Sequence, residues 1–248
     1  MAATPHPTTP TRVTPDPVHA HAWARRLDAV RPVSPAAAVG VAAGDRLLVV
    51  VAHPDDETLA LGGTLAELAA TGVHVQVVSL TSGEAALDHV GEPVGDLAAR
   101  RRAELHRAGA ALGLAGCTAL GLPDSRLADD PGRVEAAVRG AVETHRPDRV
   151  ATLWHADPHP DHRAVSRAAL AVCGPDRVAE FLLWTVHWTD PVDVPDDVAQ
   201  VALGEAARRA RRTALAGYRT QVEPLAPHLG PVLPPAVVAW PHECVVRR

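Results

Sequence analysis

Lysine is missing from this sequence, and all 24 of its basic residues are arginine. Set against 29 acidic residues, they leave a formal net charge of -5, which excludes the basic footprint of a nucleic-acid binder or a protein held to an anionic membrane. Cysteine is scarce. Cys117, Cys173 and Cys244 are odd in number, widely spaced and form no Cys-x-x-Cys pair, so they read as reduced, buried small hydrophobes of a cytoplasmic protein. No apolar run is long enough to span a membrane. The opening MAATPHPTTPTRVTPDP lacks the apolar stretch of a signal peptide, and the expectation is a soluble chain. One Phe and one Tyr stand beside five Trp, so tryptophan carries most of the aromatic surface. No Gly-x-Ser-x-Gly elbow is present, which argues against a serine hydrolase. The partners this leaves are small molecules, and a homo-oligomer stays open.

The 248 residues suffice for one domain with a large core. Residues 1 to about 17 are rich in Pro and Thr and predict disorder. A short helix is expected over His19 to Val30, ended by Pro32 and Pro35, so that 1–45 form a tail and 46–248 a single domain. From Arg46 the pattern alternates. Leu47 to His53 is a continuous β-branched run, the pattern of a strand buried on both faces. Helices are predicted over 57–70, 96–112, 132–145, 161–173 and 204–218. Strands are predicted from Val73, at 118–121, 148–154 and 180–188, with HECVVRR closing as an edge strand. Residues 223–241 read as a proline-rich surface loop and a candidate cover for a pocket. The alternation implies an α/β, Rossmann-like three-layer sandwich with a mostly parallel central sheet, whose ligands sit beyond the carboxyl ends of the strands.

Two of those strand ends carry chemistry. The first strand runs into His53-Pro54-Asp55-Asp56-Glu57. Helix capping accounts for one or two of these acids, but not for three in succession behind a His. A dinucleotide site would need a Gly-rich turn here with bare N–H groups facing a pyrophosphate, and carboxylates would repel it. The strand ending at Trp154 leads into His155-Ala156-Asp157-Pro158-His159-Pro160-Asp161-His162, three histidines and two aspartates in one loop. Together the clusters supply two imidazoles and a carboxylate with room for water, the ligand count of a catalytic zinc site. His155 and Asp157 are weighed as supports of the site or as plain loop. Trp154, Trp184, Trp188 and Trp240 are weighed as sugar-stacking rings or as core.

With these motifs the chain resembles the LmbE-like, or PIG-L, family of metal-dependent deacetylases, over roughly residues 46 to 222. AHPDDE at 52–57 and HPDH at 159–162 carry the resemblance, supported by TSGE at 81–84, RRAEL at 101–105 and LGLPDSRL at 120–127. The resemblance implies His53, Asp56 and His162 as ligands of one zinc ion, although a site of this type also accepts other divalent ions. It implies Asp55 as general base, and His159, protonated and oriented by Asp161, as oxyanion stabiliser. Arg101 and Asp124 are implied as substrate contacts. The expected reaction is hydrolysis of an N-acetyl amide on an amino sugar or related small molecule. The alternatives are an amidase for a larger acyl group or a non-sugar amine, and a non-catalytic metal binder.

Overall fold

In the computed structural model, which describes residues 17–87, 95–194, 197–225 and 228–246, the β-branched runs pair into one seven-stranded sheet. The strands are β1 (Arg46–Val51), β2 (His74–Thr81), β3 (Gly116–Leu122), β4 (Arg149–Leu153), β5 (Val178–Phe181), β6 (Val198–Gln200) and β7 (Cys244–Val246). Their order is β3-β2-β1-β4-β5-β7-β6. The first five are parallel, and β7 runs antiparallel to both β5 and β6.

Side chains of a strand alternate between faces, and β1 shows what that does here. Leu47, Val49 and Val51 pack into one core with residues of α2 (Pro35–Val39), α3 (Asp56–Ala70), α4 (Leu97–Ala111) and α8 (Glu205–Ala216). Leu48, Val50 and Ala52 pack into another with α5 (Pro131–His145) and α6 (Pro160–Cys173). The result is the expected three-layer sandwich. A third cluster at the carboxyl end of β5 joins α1 (Pro17–Asp28), through Trp23 and Leu27, to α7 (Thr185–Trp188). Two more short helices, α9 (Arg219–Val222) and α10 (Pro235–Val238), follow α8.

The structure redraws several boundaries. Pro35 starts a helix instead of ending one. Ser34 caps α2 by accepting from the Ala37 N–H, and proline at the first helical position loses a hydrogen bond that the helix does not use there. Residues upstream of Arg46 share in the core, since Trp23 and Val39 are fully buried. The run 180–188 is not one strand: β5 stops at Phe181, and Thr185–Trp188 coil into α7. The strand at Cys244 lies inside the sheet, and the outer position belongs to β6, three residues too short to show a period. Leu233 and Val237 anchor the proline-rich stretch in the main core. Residues 1–16, 88–94 and 226–227, on which parts of the tail and loop expectations fall, lie outside the described residues. Among the described residues no helix is long and apolar enough to cross a membrane.

One feature of α3 bears on the site. Behind its first turn, Arg211 of α8 donates to the carbonyls of Thr58 (3.2 Å) and Leu59 (2.8 Å). The buried carboxylate of Glu243, just before β7, accepts from the N–H groups of Gly63 (2.6 Å) and Thr64 (2.8 Å). Arg211 and Glu243 are themselves 3.4 Å apart. α3 runs unbroken through these residues, so the buried ion pair from the C-terminal part of the chain adds to the helix's own hydrogen bonds.

Candidate metal centre

Strand order reverses at β1, which has β2 on one side and β4 on the other. The two motif-bearing loops therefore leave neighbouring strands at the switch point, where open α/β sheets bind ligands. His53 leaves β1, and its backbone N–H donates to Asp56 Oδ2 (2.8 Å). Its Nδ1 lies 3.4 Å from the same oxygen. From the β4 side, His162 in the first turn of α6 brings Nε2 to 3.2 Å from Asp56 Oδ1.

His53, Asp56 and His162 each offer a ligand atom within 4.8 Å of the others, a group that could hold a metal ion. The donor set is chemically apt. Close as it is to Asp56, His162 Nε2 is not aligned for a hydrogen bond and is a buried nitrogen without a hydrogen-bond partner among the described residues. Its other nitrogen, Nδ1, faces Asp157 Oδ1 at 3.1 Å. A carboxylate on one ring nitrogen leaves the other free to ligate, the arrangement that orients metal-binding imidazoles. Asp157, weighed in the sequence between support and plain loop, is completely buried. It also accepts from the N–H of His159 and from the N–H and hydroxyl of Thr185. Burial would lower the pKa of His162, but Asp56 and Asp157 outweigh it and carry it to about 9. Burial works the other way on Asp56, where His162 and His53 hold the carboxyl well below its usual range.

Asp55 stands beside these three at a backbone φ of 119°, a left-handed conformation that a residue with a side chain adopts only under constraint. Burial pushes its carboxyl up to about 7, against the opposing pull of Arg101. A base poised near neutral pH is what proton transfer requires. Arg101, expected at the substrate, is occupied by the chain itself. It donates to Asp55 Oδ2 (3.1 Å), to the Pro54 carbonyl (2.6 Å) and to the Gly83 carbonyl (2.7 Å). Gly83 is required there, because a Cβ would lie 2.1 Å from the Arg101 guanidinium.

The surroundings of His159 differ from the expected ones. Its Nδ1 accepts from the backbone N–H of Asp161 (3.2 Å), while the Asp161 carboxylate accepts from Leu127 N–H (3.1 Å) and approaches His53 Nε2 (3.3 Å). An amide can only donate, so Nδ1 carries no proton and the neutral ring presents Nε2–H. Burial, with His162 and His53 nearby, holds the pKa of His159 well below 6.5. The expected protonated imidazole oriented by the Asp161 carboxylate is thus replaced by a neutral donor oriented by the Asp161 amide. The three rings still converge, with His159 stacked on His162 (4.7 Å) and edge-on to His53 (5.0 Å).

Asp124 reaches the site from the loop after β3. Its Oδ1 lies 3.1 Å from His53 Nε2 and its Oδ2 accepts from Ala85 N–H. Burial would raise its pKa, but the neighbouring His53 holds it far below the usual carboxylate range. Its own N–H donates to Glu84 of the TSGE motif. The tryptophans divide. Trp154 is buried in the cluster with Trp23, Leu182 and Val186, a core position and not a stacking platform. Trp184 stacks on half-buried Trp188 at 4.8 Å, and His187 beside them meets the Trp240 ring. Glu57 and Tyr218, which no sequence pattern pairs, meet behind Asp55.

Comparison with known proteins agrees with this picture. The family described as GlcNAc-PI de-N-acetylase matches residues 48–173. A 1D-myo-inositol 2-acetamido-2-deoxy-alpha-D-glucopyranoside deacetylase of Saccharomonospora viridis is 37% identical over 56% of this chain and 62% of its own. A deacetylase of the same name from Nakamurella multipartita is 33% identical over 72% of this chain and 80% of its own. The chain spans 62%, 38% and 61% of the length of three such relatives. Among solved structures, the conserved protein TT1542 of Thermus thermophilus shares 30% identity with a TM-score of 0.56, over 71% of this chain and 80% of that one. The A40926 pseudoaglycone deacetylase Dbv21, at 24% identity, shares the fold with a TM-score of 0.61 over 74% and 86% of the two chains.

Proposed function

This chain belongs to the PIG-L family of GlcNAc-PI de-N-acetylases, and from that premise we propose that it is a zinc-dependent deacetylase of an N-acetylated amino sugar. The carrying observation is the meeting of His53, Asp56 and His162 at one point, with the Asp55 carboxyl on the adjoining residue. The curated relatives named for the same chemistry support the reading. We assign the three clustered residues as the zinc ligands. A divalent ion there would polarise the amide carbonyl and lower the pKa of water from about 15.7 towards 7.

The chain's own groups account for the remaining steps. Asp55, its carboxyl held at the edge of the cluster by Arg101, takes a proton from the attacking water and returns it to the leaving nitrogen. Acid–base work of this kind contributes about 100- to 10,000-fold. His159 donates from Nε2–H to the oxygen that becomes negative as the carbonyl turns tetrahedral. Loss of one such donor typically costs about 3–4 kcal/mol. Asp161 holds His53 and the 127 loop in place, Asp157 holds His162, and Arg101 holds Asp55. Asp124, buried beside His53, is the residue we assign to a substrate hydroxyl.

The reading is tested by zinc calorimetry on chelator-stripped protein, together with acetate release from 1D-myo-inositol 2-acetamido-2-deoxy-α-D-glucopyranoside and a panel of longer N-acyl sugars. One tight site per chain, abolished by His162→Ala, is expected, with turnover lost but zinc retained in Asp55→Asn. No zinc binding, or wild-type turnover by Asp55→Asn, would overturn the scheme. Faster cleavage of the longer acyl groups would replace the deacetylase with a broader amidase.

A further inference from the structure

The mechanism uses the carboxyl of Asp55 but does not explain how that residue is kept in a left-handed conformation. Its N–H donates to Glu57 Oε2 at 3.1 Å. The other oxygen of Glu57 accepts from the Thr58 hydroxyl and from the hydroxyl of Tyr218, both at 2.5 Å. Glu57, Thr58 and Tyr218 are all buried. A glutamate that reaches back to an amide at a helix start is an ordinary cap on a surface. This one is out of water, and three donors leave it no other conformation of comparable energy. Tyr218 is the only tyrosine in the chain. It lies two residues past the end of α8, at the start of α9, 161 residues from Glu57 and outside the stretch 48–173 that matches the family. Arg211 of α8 secures the carbonyls of Thr58 and Leu59, the next residues along.

We propose that Glu57 is a positioning residue for Asp55, held by Tyr218, so that α8 and the start of α9 form a back-plate that fixes the general base from behind the metal ligands. The inference rests on the reading of Asp55 as base. Its geometry follows directly: Glu57 grips the amide of Asp55 and Arg101 grips the carboxylate, so backbone and side chain are fixed from opposite sides. Asp56, the next residue, is held by its own bonds to His53 and does not depend on the grip.

The test pairs Tyr218→Phe with Glu57→Gln on the full chain loaded with zinc. In Tyr218→Phe, kcat for acetate release should fall about tenfold, the loss expected of one hydrogen bond to a charged acceptor. KM and zinc affinity should not change. Amide hydrogen exchange should quicken in the peptide covering residues 53–58 and not elsewhere. Glu57→Gln keeps an acceptor for the Asp55 N–H and should keep most of kcat, whereas Glu57→Ala should lose about 100-fold. The residual turnover of Asp55→Asn should fall no further when Tyr218→Phe is added, because Tyr218 acts through Asp55. Equal exchange in wild type and Tyr218→Phe, or a tenfold loss that persists in the Asp55→Asn background, would overturn the inference. Wild-type turnover by Asp55→Asn would instead refute the base assignment, and the exchange result would still decide whether the grip exists.

Discussion

Replacing Asp157 by Asn changes one atom in a buried loop, and its effect on zinc affinity can be worked out. The wild-type carboxylate accepts four hydrogen bonds, from His162 Nδ1, His159 N, Thr185 N and Thr185 Oγ1. An amide supplies one accepting oxygen and one donating nitrogen, so one side must face a donor with a donor. On the Thr185 side the hydroxyl can turn but the N–H cannot. On the His162 side the imidazole loses the partner that directs Nε2 at the metal. A buried N–H left unpaired costs about 1–3 kcal/mol, and losing a partner of a metal-bound histidine typically weakens affinity about 10- to 100-fold. Protons complicate the readout in a useful way. Asp157 helps Asp56 carry the pKa of His162 to about 9, so at pH 7 wild-type protein must displace a proton held roughly 100-fold too tightly, at tenfold per pH unit. Asp157→Asn relieves that competition. The variant should therefore look only mildly impaired at pH 7 and show its full 10- to 100-fold deficit at pH 9. Chelator competition at both pH values measures this. A deficit that is absent at pH 9, or larger at pH 7 than at pH 9, would refute the reasoning.

Four further outcomes are expected. Burial raises Asp55 to about 7 and the base acts only when ionised, so kcat/KM should rise with pH and level off at or below about 7, a bound cation shifting the limb downward. Arg101→Met should move that limb upward, since Arg101 opposes the rise; an unmoved limb in a pH–rate profile would separate Arg101 from the base. Gly83→Ala would place a Cβ 2.1 Å from the Arg101 guanidinium at a backbone φ of 66°. It should cut kcat about 100-fold and leave zinc affinity intact, as stopped acetate assays and calorimetry would show. Trp23 is fully buried and donates its indole N–H to the Thr189 carbonyl, so Trp23→Ala should cost about 3–5 kcal/mol of stability. Urea unfolding would expose a smaller effect, and with it an α1 that adds little to the core.

The sheet and the meeting of His53, Asp56 and His162 are legible in the sequence because their signals are local. Leu47 to Val51 announce a strand buried on two faces, His53 follows that strand directly, and His162 opens the helix after the loop that leaves β4. Proline was read too simply: at Pro35 it begins a helix, because the first turn has a spare N–H. Glu57 stands out in the sequence as a third acid beyond what capping needs, but its use depends on Tyr218, and nothing within a helical turn of either residue signals the other. The Asp161 carboxylate and amide go to different partners, a distinction that residue identity does not carry. The sequence places Arg101 at the site but not its partners Asp55, Pro54 and Gly83, because residue identity shows that a cation is near and not which groups take its N–H donors.

The Arg211–Glu243 pair that serves the carbonyls and amides of α3 has a consequence in time. His53, Asp56 and His162 are all translated by residue 162, whereas Tyr218, Arg211 and Glu243 emerge within the last ~90 residues. At about 5–20 residues per second of synthesis, several seconds separate the two groups. In that interval α3, which runs unbroken over Asp56–Ala70, can wind on its own hydrogen bonds, and the late-arriving pair then adds its bonds to the carbonyls of Thr58 and Leu59 and the amides of Gly63 and Thr64. The clustered residues His53, Asp56 and His162 are thus complete in the growing chain before the groups that brace α3 from behind have been made.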